Sequence, residues 1–261
     1  MIPGASVDEV LLRIEEAERR APGGAVAFDG DGTLWSGDVG EDFFAAAVAS
    51  DRLTPLAREA LAREAREHAV AVEEDLDAAA LARRIHAAYM ADAFPEERMC
   101  EIVTWVTAGW TVAELDAFCA RVCEGLDLPS RLHPETIAVL RWADARAIPV
   151  HLVSASPRAI VAQAAKVVGI DPARIVAARE AVLGERVAPA AVRPIPYGPG
   201  KVTRLREQLG PRPLHAAFGD NVFDAAMLRE AAVPVAIRPK PRLVARAAEV
   251  PGLRRLLPPD P

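Results

Sequence analysis

The side chains able to do chemistry sit where short apolar runs stop. Ala25-Val26-Ala27-Phe28 ends at Asp29-Gly30-Asp31-Gly32-Thr33, and Val150-His151-Leu152-Val153 ends at Ser154. Leu214 to Phe218 ends at Gly219-Asp220, with Asp224 four residues further on, and Gly200-Lys201 opens a segment that reads as a helix. One aspartate at a strand end is unremarkable. A turn pair would explain Asp29 and Asp31 but leaves the other positions without a reason. Two carboxylates two residues apart suit a nucleophile and a general acid–base. A serine and a lysine suit anionic oxygens, and an oxygen-only carboxylate set suits a hard divalent cation. Nucleotide-loop motifs fail. Gly30-x-Gly32 is followed by Trp35 where a dinucleotide fingerprint needs glycine, and Gly200-Lys201 is followed by Val202 and lacks the upstream glycine of a P-loop.

Presenting such groups together takes a particular set of elements. A buried strand running into a Gly-rich polar turn is how α/β sheets offer site residues, beyond the carboxyl ends of the strands. Residues 7–20 read as an amphipathic helix capped by Ser6. From about Asp38 to about Leu126 no strand pattern occurs, and helices are predicted over 53–72, 75–90, 95–107 and 111–124, the last with a Thr111/Glu114 capping box. That block reads as an inserted helical bundle. Beyond Pro129 the predicted order is helix 134–146, strand 149–153, helix 157–169, strand 174–178, an irregular Pro-rich stretch or hairpin over 180–199, a helix from Gly200, strand 214–218, helix 221–230 and strand 233–237. Alternating strands and helices imply an α/β fold, a doubly wound parallel sheet. The expected division is a core of 1–37 and 128–261 and a helical cap domain of 38–127.

Asp29-Gly-Asp31-Gly-Thr33, Ser154 after His-Leu-Val, Gly200-Lys201 and Gly219-Asp220-Asn-Val-Phe-Asp224 resemble, in order and interval, the four motifs of the haloacid dehalogenase superfamily. The long interval from Asp29 to Ser154 leaves room for a helical cap, as in the phosphoserine phosphatase-like branch. The resemblance implies a Rossmann-like core and a phosphatase. It implies that Asp29 and Asp220 ligate Mg2+ by side chain and Asp31 by its backbone carbonyl, with Asp224 acting nearby through water. In the phosphoserine phosphatases it resembles, an acidic residue shortly after the first motif reads a substrate amine. Asp38, Glu41 and Asp42 occupy that region here. Trp35 follows the nucleophile loop, and Trp105 and Trp110 lie in the cap, where aromatics either hold a cation or pack.

The chemistry follows from charge. A phosphate monoester dianion repels nucleophiles, so its attacker needs neutralising company. Asp29 would attack phosphorus. Asp31 would protonate the leaving alkoxide and later deprotonate the hydrolytic water. With Asp31 protonated, Asp29, Asp220 and Asp224 bring three negative charges against the one positive charge of Lys201, and a single Mg2+ cancels the remainder. Ser154 and Lys201 would hold the phosphoryl oxygens.

Composition narrows the rest. At 261 residues, 51% hydrophobic and 26% charged, the chain is globular and can bury a large core. A net charge of −6 argues against nucleic acid as partner. No apolar window long enough to span a membrane occurs, and the first twenty residues lack the apolar stretch of a signal peptide. Cys100, Cys119 and Cys123 form no CxxC pair, which excludes the usual zinc and redox motifs and suits buried thiols in a reducing cytoplasm. The expected partner is a small-molecule phosphate ester. Two other readings compete: a phosphotransferase of the same fold, and a non-catalytic receiver-type phospho-acceptor. A receiver lacks the acid two residues after its nucleophile and would be about half this length. Asp29→Asn is expected to abolish turnover of any phosphate ester, and Ser154→Ala to slow it roughly 10²–10³-fold, as loss of one oxyanion donor does. Near-normal activity of Asp29→Asn in a phosphate-release assay would contradict the reading.

Overall fold

The structure, a computed structural model, describes residues 1–73 and 75–258. The chain starts with β1 (Gly4–Ala5), α1 (Val7–Arg20) and β2 (Ala25–Phe28). Ser6 and Glu9 close a capping box on α1, satisfying backbone donors that the helix leaves free. The helical insertion follows: α2 (Val39–Ala49), α3 (Pro55–Glu67), α4 (Ala78–Met90), α5 (Glu96–Trp105) and α6 (Val112–Glu124). The chain returns through α7 (Leu128–Arg131) and α8 (Pro134–Ala145) to β3 (Val150–Pro157), α9 (Arg158–Val167) and β4 (Ile175–Ala178). A hairpin, β5 (Glu180–Leu183) and β6 (Arg186–Ala191), precedes α10 (Pro199–Leu209), β7 (Leu214–Gly219), α11 (Ala225–Glu230), β8 (Val233–Ile237), α12 (Pro241–Ala245) and β9 (Arg254–Leu256).

Seven strands form one parallel sheet in the order β1-β9-β8-β7-β2-β3-β4. All four residues of β2 are buried, as a strand covered on both faces requires. Its alternate residues face opposite sides. Val26 and Phe28 join the core shared with α1, α8, α9 and the helical insertion, while Ala25 and Ala27 join the core shared with α10 and α11. From β2 the sheet grows one way through β3 and β4 and the other way through β7, β8 and β9, so the carboxyl end of β2 is the point where strand order reverses. Crevices form at such points. Phe28 stacks on Phe218 of β7 with ring centroids 4.3 Å apart, which fixes the two strands whose ends carry aspartates.

Helix α2 and strands β1 and β9 lie outside the predicted elements, and of the two forms expected over 180–199 the chain takes the hairpin. Helix α2 gave no helical signal because its outward positions, Ala45 and Ala49, are alanines, so no polar stripe contrasts with buried Phe43, Phe44 and Ala47. Strands β1 and β9 are too short to show periodicity. The stretch after β4 is an ordered hairpin that joins the helical insertion: the Gly109 N–H donates to Val187 O at 2.8 Å and the Val187 N–H to Trp110 O at 2.9 Å. Among the described residues no helix is long and apolar enough to cross a membrane.

Candidate active site

Lys201 organises the site. Gly200 lets α10 start tightly against the preceding loop, where a Cβ would lie 2.0 Å from Ile195 O. The Lys201 side chain is fully buried beneath the sheet end. Its ammonium donates to Asp29 Oδ1 and Asp224 Oδ1, each at 2.6 Å, and to Val153 O at 3.2 Å, which commits all three protons. Burial alone would pull this lysine down, and the carboxylates of Asp224 and Asp29 more than reverse that, holding it above the ordinary lysine range. Asp29, at the end of β2, is pushed well above the usual carboxylate range by burial, against the pull of Lys201.

Asp220 leaves the end of β7 beside Asp29. Asp29, Asp220 and Asp224 each offer a carboxylate oxygen, all within 4.8 Å of one another. They differ in what is left to bind. Oδ2 of Asp224 accepts the backbone N–H groups of Asp220 (3.1 Å) and Asn221 (2.9 Å), and its Oδ1 holds Lys201, so Asp224 braces the lysine and the β7 turn. Oδ1 of Asp220 is buried with no partner, and its Oδ2 takes the ammonium of Lys240 at 2.9 Å. An orphaned carboxylate oxygen in a buried, all-oxygen donor set fits Mg2+. Burial, then the charge of Asp224, pushes Asp220 up to about 6. Gly32, at φ +80°, makes room for this carboxylate, since a Cβ there would lie 2.2 Å from Asp220 Oδ2.

Asp31 stands apart from that trio. Its Oδ1 accepts the Trp35 Nε1–H and the Val39 N–H, both at 2.8 Å. Its Oδ2 accepts the hydroxyls of Ser156 at 2.7 Å and Ser154 at 3.4 Å. Both serines lie at the carboxyl end of β3 and meet at this one oxygen. The sequence reading missed Lys240, whose backbone N–H also donates to Asp220 O at 2.8 Å. Its signal was a cation just beyond a strand end, the criterion that found the aspartates. Counting Lys240 corrects the charge arithmetic: one negative charge remains before the metal, and a dication makes the site positive toward a phosphate dianion.

The cleft above these groups is walled by the helical insertion. Asp38 caps α2, its Oδ1 accepting the Glu41 N–H at 3.0 Å. Oε2 of Glu41 lies 2.7 Å from His86 Nε2. Glu96 accepts from the Tyr197 hydroxyl at 3.2 Å and from Arg242 at 3.0 Å. Asp42 is turned away onto Arg131. The expected place of Trp35 in the substrate wall is corrected: the ring is fully buried and lies outside the cleft lining. Trp105 and Trp110 are core residues too. The aromatic lining comes instead from Tyr89, Tyr197 and Phe223, and both tyrosines of the chain are there.

The sequence pattern of the haloacid dehalogenase-like hydrolases matches residues 26–229, so the chain belongs to that family. A search of the curated proteins finds no match. Among solved structures, the chain is similar to a protein of unknown function from Bordetella pertussis Tohama I (21% identity, TM-score 0.66, covering 89% of this chain and 97% of that one). It is similar to a substrate-bound phosphoserine phosphatase (13% identity, TM-score 0.51, 88% and 92%) and to cytosolic 5′-nucleotidase IIIB bound to cytidine (15% identity, TM-score 0.53, 92% and 81%). At these identities the likeness defines the fold: a Rossmann-like hydrolase core with a helical insertion.

The raised Asp220 sets a pH dependence. In the metal-free protein the folded state holds a proton on Asp220 that the unfolded state has released, so this group's contribution to stability falls as pH rises from about 4 to about 6. A divalent cation must displace that proton. Calorimetric titration is therefore expected to show Mg2+ binding weakening as pH falls through about 6. Affinity unchanged between pH 5 and pH 7.5 would contradict the placement of Asp220 at the metal.

Proposed function

We propose that this hydrolase is a Mg2+-dependent phosphomonoesterase that forms an aspartyl-phosphate on Asp29 and takes a small phosphate ester bearing an amine. The observation that carries the reading is the pairing of a buried, lysine-held Asp29 with an Asp220 whose Oδ1 is buried and unpartnered. Asp29 and Asp220 would hold the metal by side chain and Asp31 by its backbone carbonyl, and Mg2+ there supplies the positive charge that a phosphate dianion needs beside an aspartate nucleophile. Lys201, its three protons already committed, fixes Asp29 and lends the phosphoryl site its charge, while Ser154 faces the phosphoryl oxygens. Asp31 protonates the leaving oxygen and then takes a proton from water. Residues 38–127 act as the cap domain over a core of 1–37 and 128–261. Three cysteines without a disulfide suit a cytoplasmic enzyme, and its partner is a small molecule, not nucleic acid.

The amine reading is supported by the charge of the cleft. Its cap-side wall carries Asp38, Glu41 and Glu96 with Tyr89, while Tyr197 comes from the loop before α10, and the lysines that line it, Lys201 and Lys240, both come from the core. Burial and the nearby Asp31 push Asp38 up to about 8, and an ammonium beside it would draw it into its charged form once closure excludes water, whereas an anionic arm without an amine would gain no such partner. Asp38→Asn separates charge from structure, because asparagine caps a helix as well as aspartate does.

Activity is expected to vanish in chelator, return with Mg2+ and be inhibited by Ca2+, whose looser coordination misplaces the nucleophile. Phosphoserine, phosphoethanolamine, phosphocholine or histidinol phosphate should be hydrolysed faster than glycerol phosphate. Asp38→Asn and Glu41→Gln should raise KM for the amine-bearing esters and leave glycerol phosphate nearly unchanged. Equal losses on both kinds of substrate would remove the amine and leave the phosphatase. Full activity in chelator would remove the metal.

A further inference from the structure

Asp31 is held differently at each of its oxygens. The two donors on Oδ1, the Trp35 indole N–H and the Val39 amide N–H, can only donate. The two groups on Oδ2 are hydroxyls, Ser156 and Ser154, which donate or accept as needed. An oxygen already carrying two N–H donors has no room for a proton of its own. An oxygen facing hydroxyls can gain or lose one while a hydroxyl turns round. The pin on Oδ1 is rigid. Trp35 is fully buried, and the strand-like stretch around it is stitched to the other end of the insertion by Ser36 N–H to Arg131 O (2.8 Å) and His133 N–H to Leu34 O (3.0 Å). Val39 is the first residue of α2, so the same pin ties the acid to the start of the insertion.

We propose that Trp35 and Ser156 are positioning residues for Asp31: Trp35 fixes Oδ1, and Ser156 keeps Oδ2, beside Ser154, as the oxygen that carries the mobile proton. The proposal rests on the phosphomonoesterase reading. In its first step an Asp29 oxygen bonds to phosphorus, the ester P–O bond breaks, and the leaving oxygen takes the proton from Asp31 Oδ2. In the second, water gives a proton back to Oδ2 as its oxygen bonds to phosphorus and the Asp29–phosphorus bond breaks, releasing inorganic phosphate.

Leaving groups separate a positioning role from a structural one. An alkoxide needs the proton, whereas p-nitrophenolate leaves without it. Trp35→Phe keeps an aromatic ring and removes the N–H. Its single-turnover rate of ester cleavage on an alkyl phosphate is expected to fall about 10–10²-fold, part of the 10²–10⁴-fold that general acid–base catalysis supplies, and its pre-steady-state burst of p-nitrophenolate from p-nitrophenyl phosphate by less than about 3-fold, the later water step being common to both. Ser156→Ala, at a half-buried position, should show the same split and gives a second test if Trp35→Phe does not fold. Asp31→Asn sets the largest split attainable. Equal losses on both substrates, or no loss, in the variants that fold would overturn the positioning role while leaving a phosphatase. A wild-type protein inactive on both esters with Mg2+ would overturn the phosphatase reading, and the proposal with it.

Discussion

A fully buried ammonium, that of Lys201, is shared between two buried carboxylates, and the arrangement tolerates no substitute. Removing one partner of such a group leaves an uncompensated charge in a low-dielectric interior, at a cost of about 3–5 kcal/mol. The fold therefore has to deliver Asp29 from β2, Asp224 from the turn after β7 and Lys201 from the start of α10 to one point. Gly200 and Gly32 make the close approaches possible. The lysine does not finish the job. Asp220 remains beside the pair with one oxygen unpartnered, and burial raises both it and Asp29. That unpartnered oxygen, in a corner of three carboxylates, is what fits a divalent cation there.

The helical insertion contributes charge of the opposite sense to the core. Lys201 and Lys240 rise from the sheet side, and Asp38, Glu41 and Glu96 descend from the insertion. Glu41 lies against His86 and Glu96 against Arg242, so two of these carboxylates are paired where they line the cleft. The β5–β6 hairpin, bonded to the 109–112 turn, and the contacts of Glu96 with Tyr197 and Arg242 fasten the insertion to the core. Asp31 lies on the seam, bonded to the nucleophile loop, to the first turn of α2 and to β3 at once.

Much of this was legible in the amino-acid order, for a local reason. Residues 7–20, 25–28 and 233–237 are bounded by unambiguous caps and turns, and the structure ends those elements where the residues change type. Asp29, Ser154 and Asp220 were visible because each terminates an apolar run. What escaped depends on packing between distant segments. Lys240 matters because β8 lies next to β7, which brings it onto Asp220. Tyr89 and Tyr197 matter because α4 and the loop before α10 meet over the sheet end. Trp35 was placed near the right residue but on the wrong side: proximity to Asp31 along the chain does not say whether the ring faces the ligand or the core, and here the indole faces inward and holds the acid by its N–H.

The most direct test of the nucleophile is chemical trapping on the Asp31→Asn protein, in which the base that activates the hydrolytic water is missing. Acid-quenched after exposure to p-nitrophenyl phosphate and Mg2+, then digested and mapped by mass spectrometry, it should carry one phosphoryl group on Asp29. Release of p-nitrophenolate with Asp29 unmodified, or a phosphoryl group on any other residue, would contradict a covalent mechanism through Asp29.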